Sequence, residues 1–313
     1  MWKRGGTDRN HLAILHNGAA LYARDAGKLD GMAPEAYIQP QDNILDDGYF
    51  KINQKGETEY STFGISVDRW TVNRAIVKVY ADCISLRWNG TDRDNGNIFE
   101  RIERDALLPN AIYTFSVLVK DVGLLSVTFT TKTEAPSEPI FIAQKRFGDL
   151  ELSVHDTPES YQFNVYTYST KESYLKAAKA EPGAYFTGWP VWNYALELAK
   201  CQRYALEMVS AFNTKFGEIG IGSATNTTRA VVFCPTPVSL RVKPAVSFAG
   251  DFRLVESGSW QAGVPVTSIT VNQVSANGVS LYVDTAGGLS AGKWYKLVFN
   301  DSEQNSLLLN ANL

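Results

Sequence analysis

Between Ile112 and Lys120 every second side chain is large and apolar. Tyr113, Phe115, Val117 and Val119 alternate with Thr114, Ser116, Leu118 and Lys120. A period of two belongs to an extended strand with one face turned inward, and a helix cannot use it. The pattern returns in Leu125, Val127 and Phe129, and again in Ile84, Leu86 and Trp88. Turn-forming strings (DDG, QKG, WNG, DNG) separate these short runs. Short alternating strands at close spacing predict an antiparallel sandwich or jelly roll.

The chain has 313 residues, enough for about two domains that each bury a core. Strand signals continue through PIFIAQKRF, LELSVHD and SYQFNVYTYS, with a loop at residues 134–139. One segment breaks the pattern. In NYALELAKCQRYALEMVSAF, Tyr194, Leu198, Cys201 and Ala205 recur at helical spacing, and Asn193 is placed to cap the start. Strand candidates resume with TRAVVFCP, VSLRVKPAVSF, PVTSITVNQV, GVSLYVDT, GKWYKLVFN and LLLNANL. Pro235, Pro237 and Pro244 fit strand ends or an edge. Residues 1–42 carry few large apolar side chains and no sustained period, so they read as an arm. The expected fold is all-β. An irregular N-terminal arm (1–42) precedes one sandwich (43–192), a connecting helix (193–217) and a second sandwich (218–313).

Composition excludes several function classes. Hydrophobic residues make up 44% and net charge is −3. That is a globular chain without the basic footprint of a nucleic-acid clamp. No run approaches the ~18 apolar residues needed to cross a bilayer, so no membrane insertion is expected. The basic start, MWKRGGTDRNH, has no apolar segment behind it and does not read as a signal peptide. A route out of the cell by lysis fits. Cys83, Cys201 and Cys234 form no CxxC pair, and an odd count fits free thiols in a reducing cytoplasm. One bridge, Cys83–Cys201 or Cys201–Cys234, stays open.

Catalytic signatures are scarce. His11, His16 and His155 are too scattered for a metal site, and Gly217, Gly220 and Gly222 do not form a GxGxxG loop. Glycoside hydrolysis needs two carboxyl groups roughly 5–9.5 Å apart. The candidates are Asp251 with Glu256, or Asp92 and Asp94 with Glu100. The run Asp92, Asp94, Asn95, Asn97 and Glu100 offers oxygen ligands for a structural Ca²⁺, although Gly96 falls one place early for an EF-hand. A solvated turn is the simpler reading, and no cofactor is expected.

Aromatic side chains suit sugars, which stack on flat rings and take a few directed hydrogen bonds. Trp70 and Trp88 read as core. In GKWYKLVFN the inward set is Tyr295, Leu297 and Phe299, which leaves Trp294 and Lys296 outward. In SLYVD, Leu281 and Val283 point in, leaving Tyr282 and Asp284 outward. Trp260 lies in the loop ESGSWQAG. Trp260, Tyr282, Asp284, Trp294 and Lys296 are therefore the candidate glycan-binding residues. Taken singly, each ring fits a subunit contact or a covering loop better than a sugar; the three together point to a site in the C-terminal domain.

Four segments carry a resemblance. LELAKCQRY (196–204) resembles the LELA-CQRYY signature of tail-fibre and tail-associated proteins of phages and prophages. NILDDGYFKINQKG with VDRW (43–70) resembles their N-terminal module, KLDGMAPEAY a tail-fibre element, and the closing GGLSAGKWYKLVFNDSEQNSLLLNANL their usual C-terminus. Ala205 stands where the signature has a second Tyr, and Lys55 where it has Arg. The resemblance implies a carbohydrate-binding-type jelly-roll module, a C-terminal receptor-binding module and a homotrimer. It brings no motif-defined sugar ligands. The expectation is a non-enzymatic virion-tail subunit that binds a host surface polysaccharide and meets other tail or baseplate proteins through its arm. The alternatives are a structural spacer without ligand and a tail-borne depolymerase.

Overall fold

The computed structural model describes residues 14–16, 19–21, 41–91, 94–210, 217–259, 263–300 and 305–311. Strands dominate, as the alternation requires. Within the arm, β1 (Ile14–His16) pairs antiparallel with β2 (Ala19–Leu21), so this stretch is not wholly irregular.

The first unit holds twelve strands: β3 (Glu59–Tyr60), β4 (Gly64–Ile65), β5 (Thr71–Asn73), β6 (Ala75–Val79), β7 (Ile84–Trp88), β8 (Gly96–Glu103), β9 (Ile112–Val119), β10 (Gly123–Thr130), β11 (Ile140–Phe147), β12 (Leu150–Asp156), β13 (Ser160–Thr167) and β14 (Ser173–Pro182). They form two six-stranded sheets, ordered β10-β9-β14-β7-β6-β3 and β11-β12-β13-β8-β5-β4. One hydrophobic cluster joins them. Phe115 of the first sheet meets Phe163 of the second edge-on, with centroids 5.4 Å apart, and Phe129 meets the same ring at 5.7 Å. The inward residues predicted for β9 and β10 are all buried. Thr114 and Ser116, on the opposite face of β9, are buried too; Thr114 bonds the Gly183 carbonyl and Ser116 bonds Ser126. Trp70 is buried against Phe50. Trp88 is only half-buried, because it ends its strand and its indole N–H reaches the Thr91 carbonyl.

The helix is shorter than its periodicity suggests. α1 spans Tyr194–Gln202, and the Asn193 side chain caps it by accepting from the Leu196 N–H. Residues Ala205–Val209 are not helical; they form β15, paired with the C-terminal strand β23 (Ser306–Asn310). Apolar residues at Ala205, Leu206 and Met208 fit either period over so short a run, and pairing across the whole chain decides the outcome. Residues 193–217 are therefore not one helix.

The C-terminal unit is a closed barrel, not a second sandwich. Its strands are β16 (Gly217–Ala224), β17 (Arg229–Pro235), β19 (Phe252–Glu256), β20 (Val264–Ser275), β21 (Gly278–Thr285) and β22 (Trp294–Phe299), ordered β16-β17-β21-β20-β19-β22 with β22 closing on β16. In-out alternation is the same in both architectures. What separates them is β22, which pairs with β19 on one side and β16 on the other, and along β16 glycine lets the backbone approach β17 closely. A Cβ on Gly222 would stand 1.8 Å from the Val231 carbonyl oxygen, and one on Gly220 would stand 2.3 Å from that of Phe233. A three-stranded sheet, β15-β23-β18 with β18 at Ala245–Ala249, packs Leu206, Leu307 and Leu309 into the barrel's core cluster. The start of VSLRVKPAVSF forms no strand. All three cysteines are buried and free, which removes both candidate bridges. Among the described residues no helix is long and apolar enough to cross a membrane.

A buried polar network joins the two units. Glu100 faces inward on β8 with Ile98 and Ile102, and is fully buried. Arg69, 2% exposed, lies 3.1 Å from Asp46 and 3.4 Å from Glu100, and its guanidinium stacks 3.4 Å from the centre of the Tyr204 ring. The Tyr204 hydroxyl donates to Glu103. Glu197 of the helix accepts from the Asp47 N–H, and Gln54 donates to Asp68 and to the Ala205 carbonyl. Asp47, Phe50 and Arg69 hold positive φ of 46°, 56° and 73°, a conformation costly for residues with side chains. Burial pushes the Asp47 and Glu100 carboxyls well above the usual carboxylate range, and Arg69 opposes it at Glu100.

Removing the guanidinium strands buried carboxyls. Arg69→Met is expected to cost about 3–5 kcal/mol, read as a lower urea midpoint at unchanged slope. Adding Glu100→Gln is expected to return part of the loss. At Asp68, burial raises the carboxyl from 3.8 to about 6, against the lowering effect of the Gln54 hydrogen bonds. The folded chain thus keeps this proton to higher pH than the unfolded chain. The resulting stability is full below 3.8 and is lost as pH rises through about 6. Asp68→Asn keeps an oxygen for Gln54. Urea titrations across that window are expected to show a flatter pH dependence for the variant than for the wild type.

Candidate functional site

The barrel exterior collects most of the residues singled out by sequence. Outward side chains run across paired strands in one row: Trp294 on β22 faces Ser223 on β16, which faces Val231 on β17, which faces Tyr282 on β21. Three strand spacings place Trp294 about 14 Å from Tyr282 along the surface. In the next row Lys296 faces Ile221, Ile221 faces Phe233, and Phe233 faces Ser280. Trp294 is 58% exposed, Phe233 45% and Ile221 44%, so an exposed apolar strip runs from Trp294 diagonally to Ile221 and on to Phe233, with Ser223, Ser280 and Lys296 along its sides. Contiguous apolar surface of this kind marks a contact site.

Charged pairs border the strip. Arg229 grips Asp284 with two hydrogen bonds, of 2.6 and 3.0 Å, and Ser268 adds a third at 2.9 Å. These contacts, Arg229 first, hold the Asp284 carboxyl below its ordinary range. Asp284 is a fixed anion, with little capacity left for a ligand. The same guanidinium lies 4.8 Å from the centre of the Tyr282 ring and occupies one of its faces. Lys296 is paired with Glu218, and Lys293 with Glu256 at 2.5 Å. Trp260 lies outside the described residues.

The Phe233 ring was missed by the sequence reading because its strand, RAVVFCP, carries apolar residues on both faces. Its position depends on a glycine diagonally across β21: a Cβ on Gly278 would come within 2.5 Å of the ring's Cζ. The ring lies across Gly278 and takes the space a side chain would fill.

Among the described residues the candidate carboxylates stand apart from one another. Asp251 and Glu256 bracket β19 and lie five residues apart along an extended chain, roughly 16 Å. Asp251 is engaged by Arg253 and Asn300. Glu100 is sealed inside the sandwich with Arg69, whereas Asp94 is exposed. The proposed Ca²⁺ run is divided in the same way. Asn97 is 2% exposed and gives its amide to a cross-strand ladder, accepting from Asn73 at 3.1 Å and donating to Asn164 at 3.0 Å. Asp92 lies outside the described residues, among which no three His, Cys, Asp or Glu side chains are arranged to hold a metal ion together. His155 sits 4.1 Å from the Phe141 ring centre, and burial pushes it down to about 4, so it is neutral at pH 7.

A second aromatic concentration lies between the sandwich and the helix. Tyr185, Phe186, Trp189, Trp192 and Tyr194 fall within ten residues. Tyr185 is 82% exposed and Val191 98%. Behind this segment, Lys179 and Glu181 form a fully buried ion pair of 2.9 Å, and Lys179 also donates to Thr187 and to the Gly188 carbonyl. The density of rings in AYFTGWPVWNY was the available signal for this surface. Neither the family models nor the curated proteins compared with this chain match it.

Proposed function

We propose that this chain is a receptor-binding subunit of a phage tail, which holds a host surface polysaccharide without cutting it. The observation that carries this reading is the open apolar strip on the barrel, headed by Trp294. A ring that exposed, with Ile221 diagonally across the next strand and paired charges on the same surface, suits the apolar face of a sugar chain. The resemblance of LELAKCQRY and of the 43–70 segment to tail-associated proteins supplies the biological setting. The jelly-roll character of the first unit belongs to the same reading.

In this account the chain is a homotrimer located in the virion tail. Its arm, residues 1–42, contacts other tail or baseplate proteins. It is assembled in the bacterial cytoplasm and freed by lysis. One barrel holds its sugar weakly, and three copies on one axis turn weak contacts into firm attachment. Lys296 lies two residues from Trp294 along β22 on the same outward face, and Tyr282 and the Arg229-bound Asp284 lie three strands away on the same surface.

Trp294→Ala is expected to abolish retention of the chain on sensors coated with surface polysaccharide extracted from candidate host bacteria. Its unfolding free energy should stay within about 0.5 kcal/mol of the wild type, as for other exposed positions. Undiminished retention by the variant, or release of new reducing ends by the wild type, contradicts the proposal.

A further inference from the structure

We infer that the barrel strip takes an uncharged polysaccharide and rejects acidic ones. The inference rests on the attachment reading and specifies the ligand of that same surface. A division among the side chains around the strip carries it. The charged groups are already bound to each other, whereas the uncharged polar groups are not.

In the two rows Lys296 is the one charged residue, and Glu218 holds it. At the end of β22, Lys293 is held by Glu256 at 2.5 Å. Beyond the rows, Arg229 gives two hydrogen bonds to Asp284, which also accepts from Ser268. Each of these cations therefore carries its own carboxylate, and the pairs sum to no net charge. An acidic sugar has to take a cation from its partner. At Arg229 that means breaking a bidentate contact, the strongest geometry an arginine offers. It also means drawing the guanidinium away from the Tyr282 ring, whose centre lies 4.8 Å from it. A sugar carboxylate that leaves the pairs intact meets as many anions as cations, and still gives up part of its hydration. A cationic sugar is no better placed, because each carboxylate is also taken.

Neutral polar groups lie along the same rows. Ser223 stands between Trp294 and Val231, Thr270 faces Tyr282, and Gln273 faces Ser280. Thr270 and Gln273 are exposed and Ser223 is half-buried. Among the described residues, none of these side chains is hydrogen-bonded to another protein group. Hydroxyl and amide groups both donate and accept. So does a sugar hydroxyl, which can bind them without breaking an ion pair. The C–H faces of the same chain then rest on Trp294, Ile221 and Phe233, the exposed apolar side chains of the strip.

The test uses the full chain and the extracted host polysaccharide, split by anion exchange into a neutral and an acidic fraction. The wild type is expected to be retained on the neutral fraction only. That retention should change less than about twofold between about 0.1 M and 1 M salt, where the screening length falls from roughly 10 to 3 Å. Glu218→Gln, at an exposed position, releases Lys296. It is expected to gain retention on the acidic fraction in low salt and to lose it in high salt. A Thr270→Val, Gln273→Ala double variant is expected to weaken neutral retention about tenfold, the loss of two hydrogen bonds. Circular dichroism and melting curves check that the variants are folded. The inference is overturned if the wild type is retained on the acidic fraction, or if neutral retention collapses in high salt. It is also overturned if folded Glu218→Gln gains nothing, or if the double variant is retained like the wild type. These outcomes leave the attachment reading standing so long as Trp294→Ala abolishes retention. No retention on either fraction, or undiminished retention by Trp294→Ala, overturns the attachment reading and this inference with it.

Discussion

Arg69 is the interaction on which the rest of the structure depends. It sits in a left-handed backbone conformation, nearly without solvent contact, between two carboxyls and an aromatic ring. Each of those partners comes from a different part of the chain. Asp46 precedes the sandwich, Glu100 is on an inner strand, and Tyr204 follows the helix. Buried ions of this kind gain little over well-packed apolar residues, yet are costly to break one at a time. Their use here is geometric: they fix how the helix and β15 leave the sandwich. Because β15 is completed only by the chain's last strand, that exit also determines where the barrel begins.

This gives a physical meaning to two of the four segments singled out in the sequence. Residues 43–70 and 196–204 are far apart in sequence and meet at this junction. Asp46, Asp47, Gln54, Asp68 and Arg69 come from one, and Glu197, Cys201 and Tyr204 from the other. Most of them are buried in the junction, so these two segments act here as joinery, and the exposed Trp294 lies in the closing segment.

The sequence made the strands legible because alternation of large and small side chains reports directly on an inside and an outside. Tyr113, Phe115, Val117 and Val119 were read correctly for that reason, as were Tyr295, Leu297 and Phe299. Closure of the barrel was not legible, since a sandwich and a barrel share the alternation; the pairing of β22 with both β16 and β19 holds the difference. Ala205–Val209 was misread because five residues cannot separate the two periods. At the candidate site, Trp294 and Tyr282 were placed on the correct face. Arg229, which commits Asp284 and covers one side of Tyr282, was not foreseen, because cross-strand register is absent from local pattern.

The central claim is that Trp294 stays open in the assembled protein until a polysaccharide covers it. Hydroxyl-radical footprinting of the full-length assembly, with and without host surface polysaccharide, addresses this directly. The account predicts oxidation of Trp294 in the free assembly and protection when the polysaccharide is added. Protection already present without polysaccharide would place the ring between copies of the chain, and oxidation indifferent to polysaccharide would leave it without a ligand; either result contradicts the account.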